Sequence, residues 1–585
     1  MTSLLVELQT EELPPKALKK LSEAFAQNLT KSLASQHFLE EGSQTTVYGS
    51  PRRLAALVTG VLAKSPDEAF KQKLVPVKVG LDADGNPTPA LEKKMKALGI
   101  VADVKSLKRV NDGKNEQLFY EGIRPGVELV HGLQTALDAA AFNLPIPKVM
   151  HYQLADGTTT VSFVRPAKHL VALYGEDVVP VTLLGLKADR LTSGHRFHTH
   201  ELISLRSADG YEDQMMTEAK VMPSFAKRRE KIVHDVVEGA RAIGGEAIMP
   251  EDLIDEVTAL TEWPVIYQSS FEEEFLKVPQ ECLILTMQQN QKYFAVQDEK
   301  GRLMNRFFLV SQLEAKDGGV EISAGNARVV RARLADAKFF YDQDRLQTLE
   351  SRIPLLKNVV YHNKLGTQAE RVERVKAIAA KVADLIGANR EEAVRAAQLA
   401  KVDLLTQMVG EFPELQGIMG EYYALHDGES KDVALAIREH YQPRFAGDAL
   451  PSTPVSLAVA LADKLETLSG LFGIGQMPTG DKDPFALRRH ALGVLRMLIE
   501  KRLNVAITDL VDIGYEAMKS VANIQDARSE LLAFFEDRIR VMFKDKGYSA
   551  QEVDAVLATH PTMVLDVPAR LEAVRAFAQL PEADA

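Results

Sequence analysis

The sequence predicts a multidomain α+β protein, with N-terminal α/β modules followed by a mostly helical second half. Three observations carry that reading. The chain has 585 residues, too many for one hydrophobic core. Short Val-rich runs broken by Gly, Asp and Pro crowd the first 320 residues. Beyond about residue 321 such runs nearly vanish, and long patterns with helical spacing replace them.

Taken in order, residues 1–64 hold an apolar run "LLVEL", a helical pattern "ALKKLSEAFAQNLTKSLAS" and the strand-like "RRLAALVTGVL", a small α/β unit. From about 70 to 185, "KLVPVKVG", "TTTVSFV", "HLVALYG" and "VVPVTLLG" read as strands around a helix near "GLQTALDAAAF". The stretch "SFAKRREKIVHDVVEGARAIGG" has helical spacing and a glycine stop, and "WPVIYQSSF" and "RFFLVSQL" return to strand. In the second half "AERVERVKAIAAKVADLIGA" and "EEAVRAAQLAKVDLLTQMVGEF" read as long helices. A Gly-, Pro- and Asp-rich loop, "GIGQMPTGDKDP", precedes the helical "FALRRHALGVLRMLIEKRL", and helices run on to residue 585. No fixed-period repeat or low-complexity tract is present.

Composition narrows the function classes. Hydrophobic residues make up 46% and charged residues 26%, the profile of ordinary globular chains. The single cysteine, Cys282, excludes an internal disulfide and a cysteine-rich zinc site, and implies a reducing, cytoplasmic setting. Its apolar surroundings in "PQECLILTM" make it a core residue. The N-terminus reaches Glu7, Glu11 and Glu12 at once, unlike a signal peptide, and no run approaches the ~20 apolar residues of a membrane span. A net charge of -11 argues against a surface coated for indiscriminate nucleic-acid binding, so any such binding must be local.

Cations do gather locally. In "GNARVVRARLADAKFFYDQDR" helical spacing puts Val330, Leu334, Ala337 and Tyr341 on one face and Arg328, Arg331 and Lys338 on another, and the same segment carries Arg333. Such a stripe is either a solvated face, with Lys338–Asp342 and Arg333–Asp336 as weak pairs, or a phosphate-binding surface, for which the planar fork of arginine is suited. Arg52 and Arg53 follow a Ser-Pro turn at the mouth of a strand. Arg165, Lys168 and His169 surround a proline turn, and Arg196 lies among His195, His198 and His200. Without a carboxylate at ligand spacing, these histidines read as loop residues rather than a metal site.

Nucleotide chemistry is missing from the motifs. There is no G-x-x-x-x-G-K-[ST] loop, and the glycines of "GLFGIGQMPTG" lack the lysine and the strand-turn-helix setting of a phosphate cradle. No G-x-S-x-G elbow occurs. His362, Asp403 and Asp463 are spaced like the ligands of a metal-dependent HD phosphohydrolase, but Val402 stands where the paired histidine is required, so the site reads as degenerate.

Longer blocks settle on one family. "LLVELQTEELPPKAL", "SPRRLA", "FVRP", "GHRF", "EWP", "QKYF", "GNARVVRARLADAKFF", "HYQPRFAGDALP", "ADKLETLSGLFGIG" and "GDKDPFALRR" together resemble the beta subunit of the bacterial heterotetrameric glycyl-tRNA synthetase, over essentially the whole chain. The resemblance implies the larger subunit of an α2β2 glycine–tRNA ligase. ATP and Mg are then used on the alpha subunit, which carries the class II active site, while this chain binds no cofactor, contributes no catalytic residue and grips tRNA(Gly). It implies an N-terminal α/β region over 1–130, an α+β region over 131–320 that is B3/B4-like in part, a degenerate HD-like domain over 321–500, and the start of a helical anticodon-binding-type domain over 501–585. Members of the family continue further, which implies that this last domain is incomplete here. Candidate tRNA contacts, matched to family blocks and chosen on charge, are Arg52, Arg53, Arg165, Arg196, Arg328, Arg331, Arg333, Arg488 and Arg489. A metal-dependent HD-type phosphohydrolase and a non-catalytic protein scaffold are the alternatives.

Overall fold

The computed structural model describes residues 1–111, 113 and 115–584. It is mixed α/β with several small sheets, and divides into two compact units, one formed by Met1–Phe271 with Met287–Arg328 and the other by Glu272–Thr286 with Val329–Ala585.

The first unit is built on β1 (Leu4–Thr10), α1 (Pro15–Ser35), β2 (Thr45–Ser50) and β3 (Arg53–Val58). Every residue of β1 is buried, because it is the middle of a five-stranded antiparallel sheet ordered Asp177–Val178, Ala167–Tyr174, β1, β3, β2. Residues on both sides of position 130 therefore share one sheet, since β1 pairs with Ala167–Tyr174 from Leu4 opposite Tyr174 to Thr10 opposite Ala167. Leu4, Val6 and Leu8 face one core, where α1 buries Leu18, Leu21, Phe25 and Leu29 at helical spacing. Each such side chain contributes roughly 1.5–3 kcal/mol on leaving water. Leu5 points the other way, onto Tyr211 and Met215 of the Tyr211–Thr217 helix. Glu7 shares the parity of Leu5, so the strand carries a carboxylate into that second layer.

Between β3 and the next helix the chain makes an excursion with its own core: β4 (Glu68–Pro76), α2 (Val77–Gly80), α3 (Pro89–Ala97), β5 (Lys108–Asn111) and β6 (Glu116–Arg124). The strands are ordered β4-β6-β5 and close on α3 around Leu74, Leu91, Met95, Leu107 and Leu118. The expectation that "KLVPVKVG" is one strand is corrected here. Pro76 ends β4, having no N–H to give the ladder, and begins the single helical turn of α2. The two connecting segments run antiparallel beside each other, where Ser65 N donates to Val127 O at 2.9 Å and Gly126 N to an Asp67 carboxylate oxygen at 2.7 Å. Only glycine fits at 126, since a Cβ there would lie 1.7 Å from the Ser65 carbonyl oxygen. The chain then returns through α4 (Leu129–Phe142), packed on α1 by Leu133, Ala136, Leu137 and Ala140.

A second sheet of this unit is ordered Glu246–Ala247, Phe294–Gln297, Leu303–Ser311, Val265–Ser270. It shares a core with the helices Phe225–Ala242 and Glu251–Leu260. The glycine stop expected after the first of these is Gly244, at φ +74°.

The second unit is helical, and its strands among the described residues are the short pairs Val360–His362 and Gly366–Thr367. The Gln368–Ile386 helix starts in a capping box of Thr367 and Glu370 and ends at left-handed Gly387. The Pro454–Gly473 helix is buried from Val455 to Gly473, all the way round, which marks it as the centre of the bundle. The second long helix expected from "EEAVRAAQLAKVDLLTQMVGEF" is instead broken into Arg390–Leu399, a 3-10 turn at Val402–Leu405 and Gln407–Glu411. The break turns Asp403 inward, where one carboxylate oxygen accepts the Gly417 and Gly420 N–H groups at 2.6 and 3.0 Å, while Thr406 caps the next helix. No described helix is long and apolar enough to cross a membrane.

Candidate nucleic-acid interface

The arginine-rich stretch forms one continuous helix, Val320–Asp344. Its apolar face packs as the spacing predicts, with Val330, Leu334 and Ala337 buried and Tyr341 half-buried. Arg328, Arg331 and Arg333 are exposed. Arg331 donates Nε to Glu272 at 2.5 Å, and Lys338 pairs with Asp342 at 2.6 Å as expected. The expected Arg333–Asp336 pair does not form. Among the described residues neither Arg328 nor Arg333 has an ion-pair partner, so both guanidiniums are open to an oxyanion.

The other candidates differ in how far they are committed. Arg489 is exposed and also lacks an ion-pair partner among the described residues. Arg488 is half-buried, and its Nη2 donates to Gly480 O at 2.5 Å, bracing the loop before the Leu487–Glu500 helix. Arg196 is exposed and bonded to Glu12 at 2.6 Å; Lys168 beside it is bonded to Glu11 at 2.8 Å. Arg165 Nη1 donates to Val164 O at 2.7 Å, leaving the rest of the head group half-exposed.

Arg53 is a correction. Only 1% of its side chain is exposed, so it cannot touch a phosphate. Its guanidinium donates to Glu262 at 2.6 Å and to the Ser193 carbonyl, and lies 3.5 Å from Glu7. Arg52 is the partly exposed rim of the same cluster, donating to Glu262 at 2.9 Å and to Gly194 O at 2.8 Å. Glu7 in turn accepts from the Thr192 and Tyr211 hydroxyls. Burial alone would raise the Glu262 carboxyl pKa, but the two arginines hold it below its usual range. Sequence reasoning missed Glu7 and Glu262; the available signal for Glu7 was a glutamate inside the apolar run that opens its strand, and Glu262, between a helix and a strand, offered none.

His195 sits beside this cluster, buried to 1% exposure, and accepts the Phe197 N–H on Nδ1 at 3.2 Å. Burial pushes its pKa down to about 4. The unfolded chain therefore binds the extra proton between about pH 6.5 and 4, and stability falls as pH drops through that window. Denaturant melts at pH 7 and pH 4.5 are expected to show less acid destabilisation in His195→Gln than in the parent chain, the difference being on the order of 2 kcal/mol. An identical loss in both would remove His195 from this role.

A second buried charge cluster lies in the helical unit. Glu466, fully buried, accepts Arg371 Nε at 2.8 Å and Arg374 Nε at 3.0 Å. Asp463 lies 3.1 Å from Arg371 and 3.3 Å from Lys401. Burial opposes ionisation of Asp463, but these cations hold its carboxyl well below the usual range. Lys464 has two carbonyls, Gln442 O at 2.8 Å and His440 O at 3.3 Å, and burial pushes its pKa down to about 8. The HD-like positions are thus engaged by protein groups. Asp403 receives backbone N–H groups, Asp463 receives cations, and His362 is bonded to Gln476 at 3.3 Å with its ring edge-on to Phe485. Among the described residues no three His, Cys, Asp or Glu side chains converge as a metal site. Cys282 is fully buried, its sulfur 3.3 Å from that of Met419.

Comparison with known proteins gives these clusters a setting. The family described as glycyl-tRNA synthetase beta subunit matches residues 4–558. The glycine–tRNA ligase beta subunit of Janthinobacterium sp. (strain Marseille) is 56% identical over 585 residues, covering 99% of this chain and 83% of that protein. Those of Ralstonia nicotianae and Thiobacillus denitrificans are 53% and 54% identical, each covering 100% of this chain and 84% of the relative. Such relatives place the chain among the subunits of aminoacyl-tRNA synthetases. It belongs to the glycyl-tRNA synthetase beta-subunit family.

Proposed function

We propose that this chain is the tRNA-gripping subunit of a cytoplasmic α2β2 glycine–tRNA ligase, with glycine activation by ATP and Mg on the alpha subunit. The observation that carries the reading is the pair of exposed arginines, Arg328 and Arg333, which have no carboxylate partner among the described residues, on one helix of a chain with net charge -11. Free guanidiniums in an acidic protein suit bidentate capture of phosphate. Arg489 joins them on the same ground. Arg196, Arg331 and Arg488 follow, each able to exchange an exposed or half-exposed partner for phosphate; Arg165 joins them as a half-exposed residue, and Arg52 contributes at most an edge. No group of this chain is assigned a covalent or acid–base role. Its effect on rate is positional: binding energy from the tRNA body holds the terminal ribose hydroxyl near the glycyl-adenylate on the companion subunit.

Within this reading the 131–320 region holds a B3/B4-like part, 321–500 an HD-like scaffold and 501–585 a helical region of anticodon-binding type. The donor set argues against the phosphohydrolase alternative, because Arg371 and Lys401 supply at Asp463 the positive charge a metal would bring. Glycylation of tRNA is expected only when the alpha subunit and this chain are both present. Glycine activation by this chain alone, or full tRNA charging by the alpha subunit alone, would overturn the assignment.

A further inference from the structure

We propose that a cavity in the helical unit binds a small phosphomonoester, with Arg374 at its base and Lys364 at its rim as the two cations that take the phosphate. The site is separate from the tRNA contacts proposed above and does not depend on them.

The cavity measures about 660 Å³, within the roughly 300–1,000 Å³ of small-molecule sites. Three segments close on it. The turn between the Val360–His362 and Gly366–Thr367 strands supplies Asn363 and Lys364, and is held by the Lys364 N–H donating to His362 Nδ1 at 3.1 Å. The start of the Gln368–Ile386 helix supplies Glu370, Glu373 and Arg374. Gly366 lets these two segments approach, since a Cβ there would meet Glu370 Oε2 at 1.5 Å. The third wall begins at Ala517, near the end of the Ile507–Met518 helix, and continues through Ser520 and Val521.

Arg374 makes the cavity an anion site. Its side chain is only 6% exposed and lines the cavity. Nε donates to Glu466 at 3.0 Å and Nη2 to the Leu365 carbonyl at 3.0 Å, but Nη1 has no hydrogen bond among the described residues. Negative charge is short there too. Glu466 is shared with Arg371, which has Asp463 as a second carboxylate, whereas Arg374 has no other among the described residues. A buried guanidinium with an idle donor and a shared counter-ion is stabilised by an oxyanion. Lys364 is exposed and has no ion-pair partner among the described residues, so a second cation stands free at the rim. Two cations suit the near-double charge of a phosphomonoester better than the single charge of a carboxylate. The carboxylates that also line the cavity are engaged in part: Glu373 lies 3.2 Å from Lys376, and a Glu370 oxygen accepts the Thr367 N–H at 3.2 Å. Their remaining oxygens suit hydroxyl groups on the ligand, as a carboxylate accepts from a ribose. A phosphodiester inside an RNA strand is substituted on both sides and cannot bring its oxygens to a guanidinium this deep, whereas a terminal phosphate can.

Titration calorimetry of the full chain with AMP, adenosine and inorganic phosphate tests the site. AMP is expected to bind, inorganic phosphate to displace it, and adenosine, which lacks the phosphate, to bind at least about tenfold more weakly than AMP. Lys364→Ala is expected to weaken AMP binding about tenfold, and Arg374→Gln by more than about tenfold. Arg374→Gln also removes a partner of Glu466, so its thermal melt is read beside its affinity. Lys364→Ala changes an exposed side chain and remains informative if the arginine variant unfolds. No AMP binding, equal affinity for AMP and adenosine, or parental AMP affinity in the Lys364→Ala chain would overturn the proposal. Displacement of AMP by tRNA with a 5′-phosphate, but not by dephosphorylated tRNA, would overturn the small-molecule reading and give the cavity to an RNA end.

Discussion

Glu466→Ala is expected to lower the unfolding free energy of the helical unit by roughly 3–5 kcal/mol, the cost of leaving buried cations without their anion. Glu466 is the shared acceptor of Arg371 and Arg374, and all three lie within the bundle. Arg371 keeps Asp463 at 3.1 Å and Thr467 at 2.9 Å, but among the described residues Arg374 retains only the Leu365 carbonyl at 3.0 Å. A stranded guanidinium must either stay desolvated or drag water between the Gln368–Ile386 and Pro454–Gly473 helices. Replacing Glu466 and Arg374 together by leucine removes the unpaired charge with its partner, and is expected to recover part of the loss. Thermal and denaturant unfolding measure both variants. A wild-type midpoint for Glu466→Ala would mean that this cluster does not hold the two helices together.

Arg328→Ala combined with Arg333→Ala is expected to leave the fold within ~0.5 kcal/mol of the parent, because both side chains are exposed and neither holds an ion pair among the described residues. Its effect falls on RNA. Losing two phosphate contacts is expected to reduce the salt slope of tRNA binding by about 1.5 and to weaken affinity roughly tenfold at moderate salt. Arg331→Ala is expected to do less, since Arg331 must first leave Glu272. Arg53→Ala inverts the pattern, destabilising the first unit by stranding Glu7 and Glu262 while removing no surface charge. Separate readings of stability and tRNA affinity thus divide the arginines into structural and contacting groups. Equal tRNA binding by the Arg328/Arg333 variant and the parent would remove the helix from the interface.

These divisions show where sequence reasoning reached and where it stopped. Local patterns were enough for β1, α1 and the arginine helix, because burial there follows strict two- or 3.6-residue spacing within one element. They failed at Arg53 because its partner is Glu262, 209 positions away, and nothing near a Ser-Pro-Arg-Arg turn says which guanidinium faces inward. They failed again at 390–412, where helical spacing continues through Lys401 and Asp403 but tertiary hydrogen bonds from Gly417 and Gly420 draw the backbone aside. The run "PVSLAVALADKLETLSGLFG" did carry a legible warning. Asp463, Lys464 and Glu466 are the charged residues of a helix otherwise built of apolar and small hydroxyl residues on every side, so they had to be paired inside the protein. The family was legible from long blocks of residues, whereas the contact surface required knowing which cations were already spoken for.

The most direct test is the affinity of the purified chain, without its companion subunit, for tRNA(Gly) as salt is raised. Grip by several open arginines predicts measurable binding that falls steeply, with a slope of log affinity against log salt of about -2 or steeper. Binding that is absent at low salt, or indifferent to salt, would contradict the account.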